Sequence, residues 1–150
     1  MAGALAVATL NGFSGLLGAW IWHRGDPTDR RSVGAFWVML RVGQGSALML
    51  AVAVGSLAAA GRYSSEHLFY LYALLPLAIG FVAEQLRVTS AQTILDQRGL
   101  QDAQAVGGLP EPEQQVIVAA VVRREMGVMA LSALVVVVLA LRAAGTAHGF

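Results

Sequence analysis

The sequence contains no cysteine, and all ten of its basic residues are arginine. The absence of cysteine excludes disulfide bonds, thiolate metal sites and cysteine nucleophiles. Signatures of catalysis are absent as well: the chain has no HExxH, no P-loop, no dinucleotide glycine fingerprint and no nucleophile elbow. Its acidic residues offer no convergent pair beyond the isolated Glu84 and Glu125. We therefore predict that the protein is not an enzyme and holds no metal ion.

Charge is also scarce, since only 13% of the 150 residues are charged while 57% are hydrophobic. The mean hydropathy of +0.64 lies outside the range of an ordinary soluble domain. The composition therefore predicts an integral membrane protein with the lipid bilayer as its surroundings. A net charge of +1 provides no basic surface for a run of phosphates, so nucleic acid is excluded as a partner.

Four long apolar runs predict four transmembrane helices, at about 2–22, 33–60, 66–97 and 113–143. Between the third and fourth runs, residues 98–112 form a polar segment with the glycines and prolines of irregular chain. Either Asp29 or Ser32 is expected to cap the second helix. The predicted fold is an all-α, multi-pass, four-helix transmembrane bundle within a single domain.

The arginines are distributed unequally between the two sides of this bundle. One side carries Arg24, Arg30, Arg31, Arg87, Arg98, Arg123 and Arg124, whereas the other carries Arg62 and Arg142. Because cytoplasmic loops carry the excess of basic residues, the polar segment is predicted to be cytoplasmic. Both termini are then expected on the non-cytoplasmic side of the membrane.

Two opposite charges, Arg41 and Glu84, lie inside the second and third apolar runs. They are about equally far from the short connection at Arg62-Tyr63, so an antiparallel hairpin places them at similar depth. A charge within the bilayer is costly unless it is paired. We therefore predict an Arg41–Glu84 ion pair, with Gln44 or Arg124 in the same network. The complete predicted polar cluster comprises Arg41, Gln44, Glu84, Arg87, Arg123, Arg124 and Glu125.

Small residues mark two helix faces that suit close packing. In the second helix they recur every fourth residue, at Gly43, Ala47, Ala51, Gly55 and Ala59. This ridge predicts contact either with another helix of the chain or with a second subunit. In the first helix, small and polar groups occupy overlapping faces at Asn11, Gly12, Ser14, Gly15 and Gly18.

His67 is the one candidate haem ligand within a predicted span. Membrane helix bundles hold b-type haem between histidines on facing helices. A partner histidine would have to come from His148 or from His67 of a second subunit, because His23 is expected at the opposite end of its helix. Bonding of an interfacial histidine to its neighbours is the alternative.

Three functional hypotheses follow. The first is a non-catalytic subunit or scaffold of a membrane complex, which assembles as a homo-oligomer or with another membrane protein. The second is a carrier or channel for a small polar or ionic substrate that uses the Arg/Glu cluster. The third is a b-type haem protein; the first two hypotheses require no cofactor.

Overall fold

The computed structural model describes residues 1–24 and 29–147. Within these ranges the chain is helical and contains no strand. The helices are α1 (Ala2–Arg24), α2 (Arg30–Ala59), α3 (His67–Gln97), the short α4 (Ala103–Gly107) and α5 (Glu111–Thr146). In this part of the chain four helices, namely α1, α2, α3 and α5, are long and apolar enough to span a membrane, which confirms the predicted helical class.

The polar segment connects α3 and α5, and both of these helices are longer than a membrane span requires. α3 has 31 residues and α5 has 36, whereas about 20 suffice to cross a bilayer. The surplus forms a hairpin that is closed by α4, and Asp102 caps α4 through the backbone N–H of Ala105. We call this end of the bundle, which carries Arg30, Arg31, Arg87, Arg98, Arg123 and Arg124, the arginine-rich end.

Asp29 determines where α2 begins. Its carboxylate accepts from the backbone N–H groups of Arg31 and Ser32 and from the Ser32 hydroxyl, so α2 begins at Arg30, ahead of the apolar run. The hydroxyl bond from Ser32, followed by the backbone bond from Arg31, holds the pKa of Asp29 below its usual range. Of the two predicted caps, Asp29 is therefore the one that is used.

Glycines with positive φ terminate α2 and α3. Gly61 (φ 76°) and Gly99 (φ 69°) each follow the last helical turn. At α2, the N–H of Gly61 bonds to Ala58 and that of Arg62 to Leu57, which is the Schellman pattern. The equivalent pair of bonds follows α3. These two positions favour glycine because other residues rarely adopt a positive φ.

The four long helices form a ring in the order α1, α2, α3, α5. α5 packs extensively against both α1 and α3, α1 packs against α2, and the contact between α2 and α3 is the sparsest of the four seams. Three layers of buried side chains fill the interior. Phe36 and Met129 lie in the layer near the arginine-rich end, Val7 and Val136 in the middle layer, and Phe69 and Val54 in the layer at the far end.

Two glycines of α1 lie in tight contact with neighbouring helices. A Cβ added at Gly18 would meet the ring of Phe36 and lie 2.8 Å from the Cβ of Ala130. A Cβ added at Gly15 would lie 2.8 Å from Leu134 and 3.3 Å from the carbonyl oxygen of Ala130. These two glycines therefore allow α1 to approach α5, and at Gly18 also α2.

The small-residue ridge of α2 is divided between two environments. Gly43, Ala47 and Ala51 are buried, and Ala47 packs with Val7 and Ala8 of α1. Gly55 and Ala59 are exposed, and a Cβ at Gly55 would meet nothing within 4 Å. The ridge is thus a helix contact within the chain along its first part only.

A buried hydrogen bond joins α1 to this ridge. The Nδ2 of Asn11 donates to the Gly43 carbonyl oxygen at 3.1 Å and to that of Val7 at 2.9 Å. Asn11 is only 2% exposed, so its amide is satisfied across the helix interface. A Cβ at Gly43 would lie 2.9 Å from Asn11 Oδ1, which explains the absence of a side chain there.

Candidate functional site

The sparse seam between α2 and α3 leaves a cleft that reaches the interior of the bundle. Its cavity has a volume of about 320 Å³. The walls are apolar and include Leu48 of α2 and Phe81 of α3, while Asn11 and Ser132 contribute polar groups from α1 and α5. We call this feature the α2/α3 cleft.

Two glycines lie on the walls of the α2/α3 cleft. Gly45 and Gly80 line it on opposite sides, and a Cβ added at either would meet nothing within 4 Å. Pro76 also lies on the α3 wall. The apolar side chains at the mouth, Leu48 and Phe81, are exposed. The cleft is therefore a lateral opening between two helices.

The ion pair predicted between Arg41 and Glu84 is present at one end of this cleft. Arg41 Nη1 donates to Glu84 Oε1 at 2.5 Å and to Gln44 Oε1 at 2.7 Å. Gln44 Nε2 donates to the same carboxylate oxygen at 3.3 Å. The three side chains thus form a closed triangle that connects the sparsely packed helices.

Arg87 forms an ion pair with the second oxygen of the Glu84 carboxylate. Its Nε lies 3.1 Å from Glu84 Oε2, although the N–H is not aligned for a hydrogen bond. The guanidinium carbon of Arg87 lies 5.3 Å from the ring centroid of Trp37, which is a cation–π contact. Trp37 precedes Arg41 by one helical turn, and that spacing is the sequence signal that places it on the same face of α2.

The charge of this site is balanced by a second carboxylate. Glu84 lies between the guanidinium groups of Arg41 and Arg87. Glu125 of α5 is half-buried and interacts electrostatically with Arg87. The four charged groups sum to zero, yet the Arg41 side chain is 54% exposed at the cleft mouth. Its Nε and Nη2 have no acceptor in the described part of the chain.

The structure divides the predicted polar cluster into two groups. Glu84 contacts Arg41, Gln44 and Arg87, and Glu125 interacts electrostatically with Arg87. Arg123 and Arg124 are exposed and line a different groove with Trp22 and Arg98. The sequence left Gln44 and Arg124 as alternative further members of the Arg41–Glu84 network. Gln44 is the one present, whereas Arg124 lies on a side of α5 that faces α1 and the end of α3.

His67 is the first residue of α3 and is exposed. His23 lies near the end of α1, at the opposite end of the bundle, and His148 lies outside the described residues. Among residues 1–24 and 29–147 there is no group of three or more side chains suited to a metal ion. A haem site at His67 would require a second histidine from outside these ranges or from another chain.

Within residues 1–24 and 29–147, the fold and the cleft define a helical bundle with four candidate membrane spans, a lateral cleft and a charged cluster at one end of that cleft. Compared with family models, with curated proteins and with solved structures, the chain matches none.

Proposed function

We propose that the protein is a non-catalytic subunit of a membrane complex that receives a transmembrane helix of a different membrane protein in the α2/α3 cleft. The observation that carries this proposal is the laterally exposed Arg41 at the cleft mouth. The length of α3 from His67 to Arg87 is about 30 Å, close to the hydrocarbon thickness of a bilayer. Arg41 and Glu84 then lie within the membrane, about one helical turn inside Arg87.

A guanidinium at that depth requires acceptors for all of its N–H groups. Nη1 of Arg41 uses Gln44 and Glu84, while Nε and Nη2 find no acceptor in the described residues. A carboxylate or amide side chain on a neighbouring helix supplies that acceptor and removes the charge from lipid. The proposed partner helix therefore carries an acidic or amide residue at this level.

The shape of the cleft also fits a neighbouring helix. Gly45 and Gly80 allow a backbone to approach closely, and Leu48 and Phe81 provide exposed apolar walls on either side. A symmetric dimer of this chain would place cleft against cleft and leave both unfilled. The convex surface of a partner helix fills the opening instead.

Site-directed photocross-linking in native membranes tests this proposal. Because the chain has no cysteine, Gly45→Cys and Gly80→Cys each provide a single site for benzophenone maleimide. Open space at both glycines makes the substitutions compatible with the fold. On irradiation, both labelled variants are expected to form a covalent adduct of one distinct mass with another membrane protein. Arg41→Gln in the same background is expected to weaken that adduct.

The matched control is Val138→Cys, an exposed position of α5 that does not line the α2/α3 cleft. It is expected to give no such adduct. The proposal fails if the control produces the same adduct, if the cleft positions label only lipid, or if the adduct is a second copy of this chain.

A second candidate function is a carrier for a small polar or ionic substrate, favoured by the depth of the cavity. The opening leads from Arg41 and Glu84 to the buried Asn11 and to Ser132, and its volume of about 320 Å³ lies at the lower end for ligand sites. Flux into liposomes is then expected to fall sharply in Glu84→Gln and Arg41→Ala. Equal flux in these variants and the unmodified protein would remove this candidate.

For orientation, we propose that the arginine-rich end is cytoplasmic and that both termini are non-cytoplasmic. The unequal distribution of arginine supports this assignment.

A further inference from the structure

A basic groove lies at the arginine-rich end, away from the α2/α3 cleft. Its volume is about 390 Å³, and it is lined by Arg98 at the end of α3 and by Arg123 and Arg124 of α5. Trp22 of α1 and Ile94 of α3 contribute apolar surface to its walls. Three arginines, one from the end of α3 and two from α5, therefore line one space.

In the described part of the chain, no carboxylate forms an ion pair with these three arginines. The lining of the groove contains no acidic residue, and in residues 1–24 and 29–147 none of the three forms an ion pair. Guanidinium groups bind phosphate oxygens through paired N–H donors. The groove therefore has the charge and the donors for a phosphate group.

An apolar groove continues from the basic one along the surface between α1 and α5. Its volume is about 440 Å³, and it shares Trp22 and Arg124 with the basic groove. Beyond them it is lined by Ala19, Leu131 and Leu134. Leu134 lies about 15 Å beyond Arg124 along α5, toward the far end of the bundle. The charged and apolar parts are thus ordered along the helix axis like a lipid headgroup and its acyl chain.

Trp22 marks the junction of the two grooves. A Cβ added at Gly127 would lie 3.1 Å from Trp22 Nε1, so the indole rests on the glycine of α5. Its N–H has no acceptor in the described part of the chain. Tryptophan is enriched at the level of lipid headgroups, where its ring is apolar and its N–H is polar.

We infer that these joined grooves bind an anionic phospholipid, with the phosphate at Arg98, Arg123 and Arg124 and one acyl chain along Ala19, Leu131 and Leu134. A zwitterionic choline lipid binds less well because its ammonium group adds positive charge beside three arginines. Basic pockets between helices at the cytoplasmic surface are suited to such headgroups. This inference is independent of the partner proposed for the α2/α3 cleft.

Native mass spectrometry of the purified chain in mild detergent tests the inference. The chain is titrated with phosphatidylglycerol and with phosphatidylcholine of the same acyl chains, and the ratio of their dissociation constants is measured. The unmodified protein is expected to prefer phosphatidylglycerol. Each single Arg→Gln change at 98, 123 or 124 is expected to reduce that preference about fivefold, and the triple change on the order of a hundredfold.

Two further variants separate the groove from general surface charge. Arg30→Gln combined with Arg31→Gln removes two exposed arginines from the same end and is expected to leave the preference unchanged. Gly127→Val retains every arginine but displaces Trp22, and is expected to weaken binding of both lipids. Far-UV circular dichroism verifies that each variant is folded.

A competition experiment distinguishes binding of an intact phospholipid from binding of a free phosphate group. Inorganic phosphate and glycerophosphoglycerol, which have no acyl chains, are expected to displace the lipid poorly. The inference is overturned if either competes as well as intact phosphatidylglycerol. It is also overturned if the single Arg→Gln variants retain the preference, or if the Arg30/Arg31 control loses as much as the triple variant.

Discussion

Replacing Gly18 by leucine is expected to lower the free energy of unfolding by about 3 kcal/mol or more, the largest effect of any single change in α1. The Cβ alone would meet the Phe36 ring and lie 2.8 Å from the Cβ of Ala130. Because Gly18 faces both α2 and α5, the helix cannot relieve the overlap by moving away from one neighbour. Thermal or denaturant-induced unfolding in lipid nanodiscs measures the difference.

The matched control is Gly55→Leu on α2. A Cβ there meets nothing within 4 Å, and leucine forms helices better than glycine. The isolated chain is therefore expected to keep or slightly gain stability. The small-residue ridge of α2, taken alone, would instead predict that leucine at position 55 disrupts helix packing. Equal loss of stability in the two variants would show that α1 does not pack through Gly18 as described.

Replacing Glu84 by glutamine is expected to lower the free energy of unfolding by about 2 kcal/mol in a bilayer. The change leaves Arg41 and Arg87 facing each other without the carboxylate that separates them. Arg41→Met is expected to cost less, because Glu84 retains Gln44 and Arg87. Unfolding of the two variants in nanodiscs of identical lipid composition provides the comparison.

A double-mutant cycle distinguishes an ion pair from two independent effects. The Glu84→Gln/Arg41→Met double variant is expected to lose less stability than the sum of the single changes, since it removes both members of the pair. Strict additivity of the two losses would contradict the pairing. The change in stability when Arg87→Met is added to the Glu84→Gln variant further measures the repulsion between the guanidinium groups of Arg41 and Arg87.

The helices and the ion pair could be predicted because both depend on distance along the chain. An apolar run of sufficient length identifies a candidate span, and two residues equally far from a short connection meet in an antiparallel hairpin. Arg41 and Glu84 satisfy that condition, and the structure brings them together. The inclusion of Gln44 follows from its position one turn after Arg41.

The rotation of α5 about its own axis could not be predicted in the same way. Arg123, Arg124 and Glu125 are consecutive and differ in direction by about 100° per residue in a helix. Glu125 therefore turns toward Arg87, while Arg123 and Arg124 line the groove beside Trp22. Which of the three faces the bundle depends on the packing of Met126, Met129 and Ala130, which belong to the core.

The extent of the α2 ridge could not be read from its spacing either. A repeat of small residues shows which face permits close approach but gives no crossing angle. Gly43, Ala47 and Ala51 are buried, whereas Gly55 is exposed although Val54, the residue before it, packs in one layer with Ala4 of α1. The ridge face therefore turns away from α1 before the contact between the two helices ends.

The hydrogen bond from Asn11 to Gly43 imposes two different kinds of constraint on sequence variation. The acceptor at position 43 is a backbone carbonyl, so that position is limited by size and not by side-chain chemistry. Position 11 must supply a side-chain N–H donor that reaches the Gly43 carbonyl oxygen, and the residue there is only 2% exposed. In variants selected for function, glycine is expected to persist at 43 because an added Cβ would lie 2.9 Å from Asn11 Oδ1, and asparagine is expected to persist at 11.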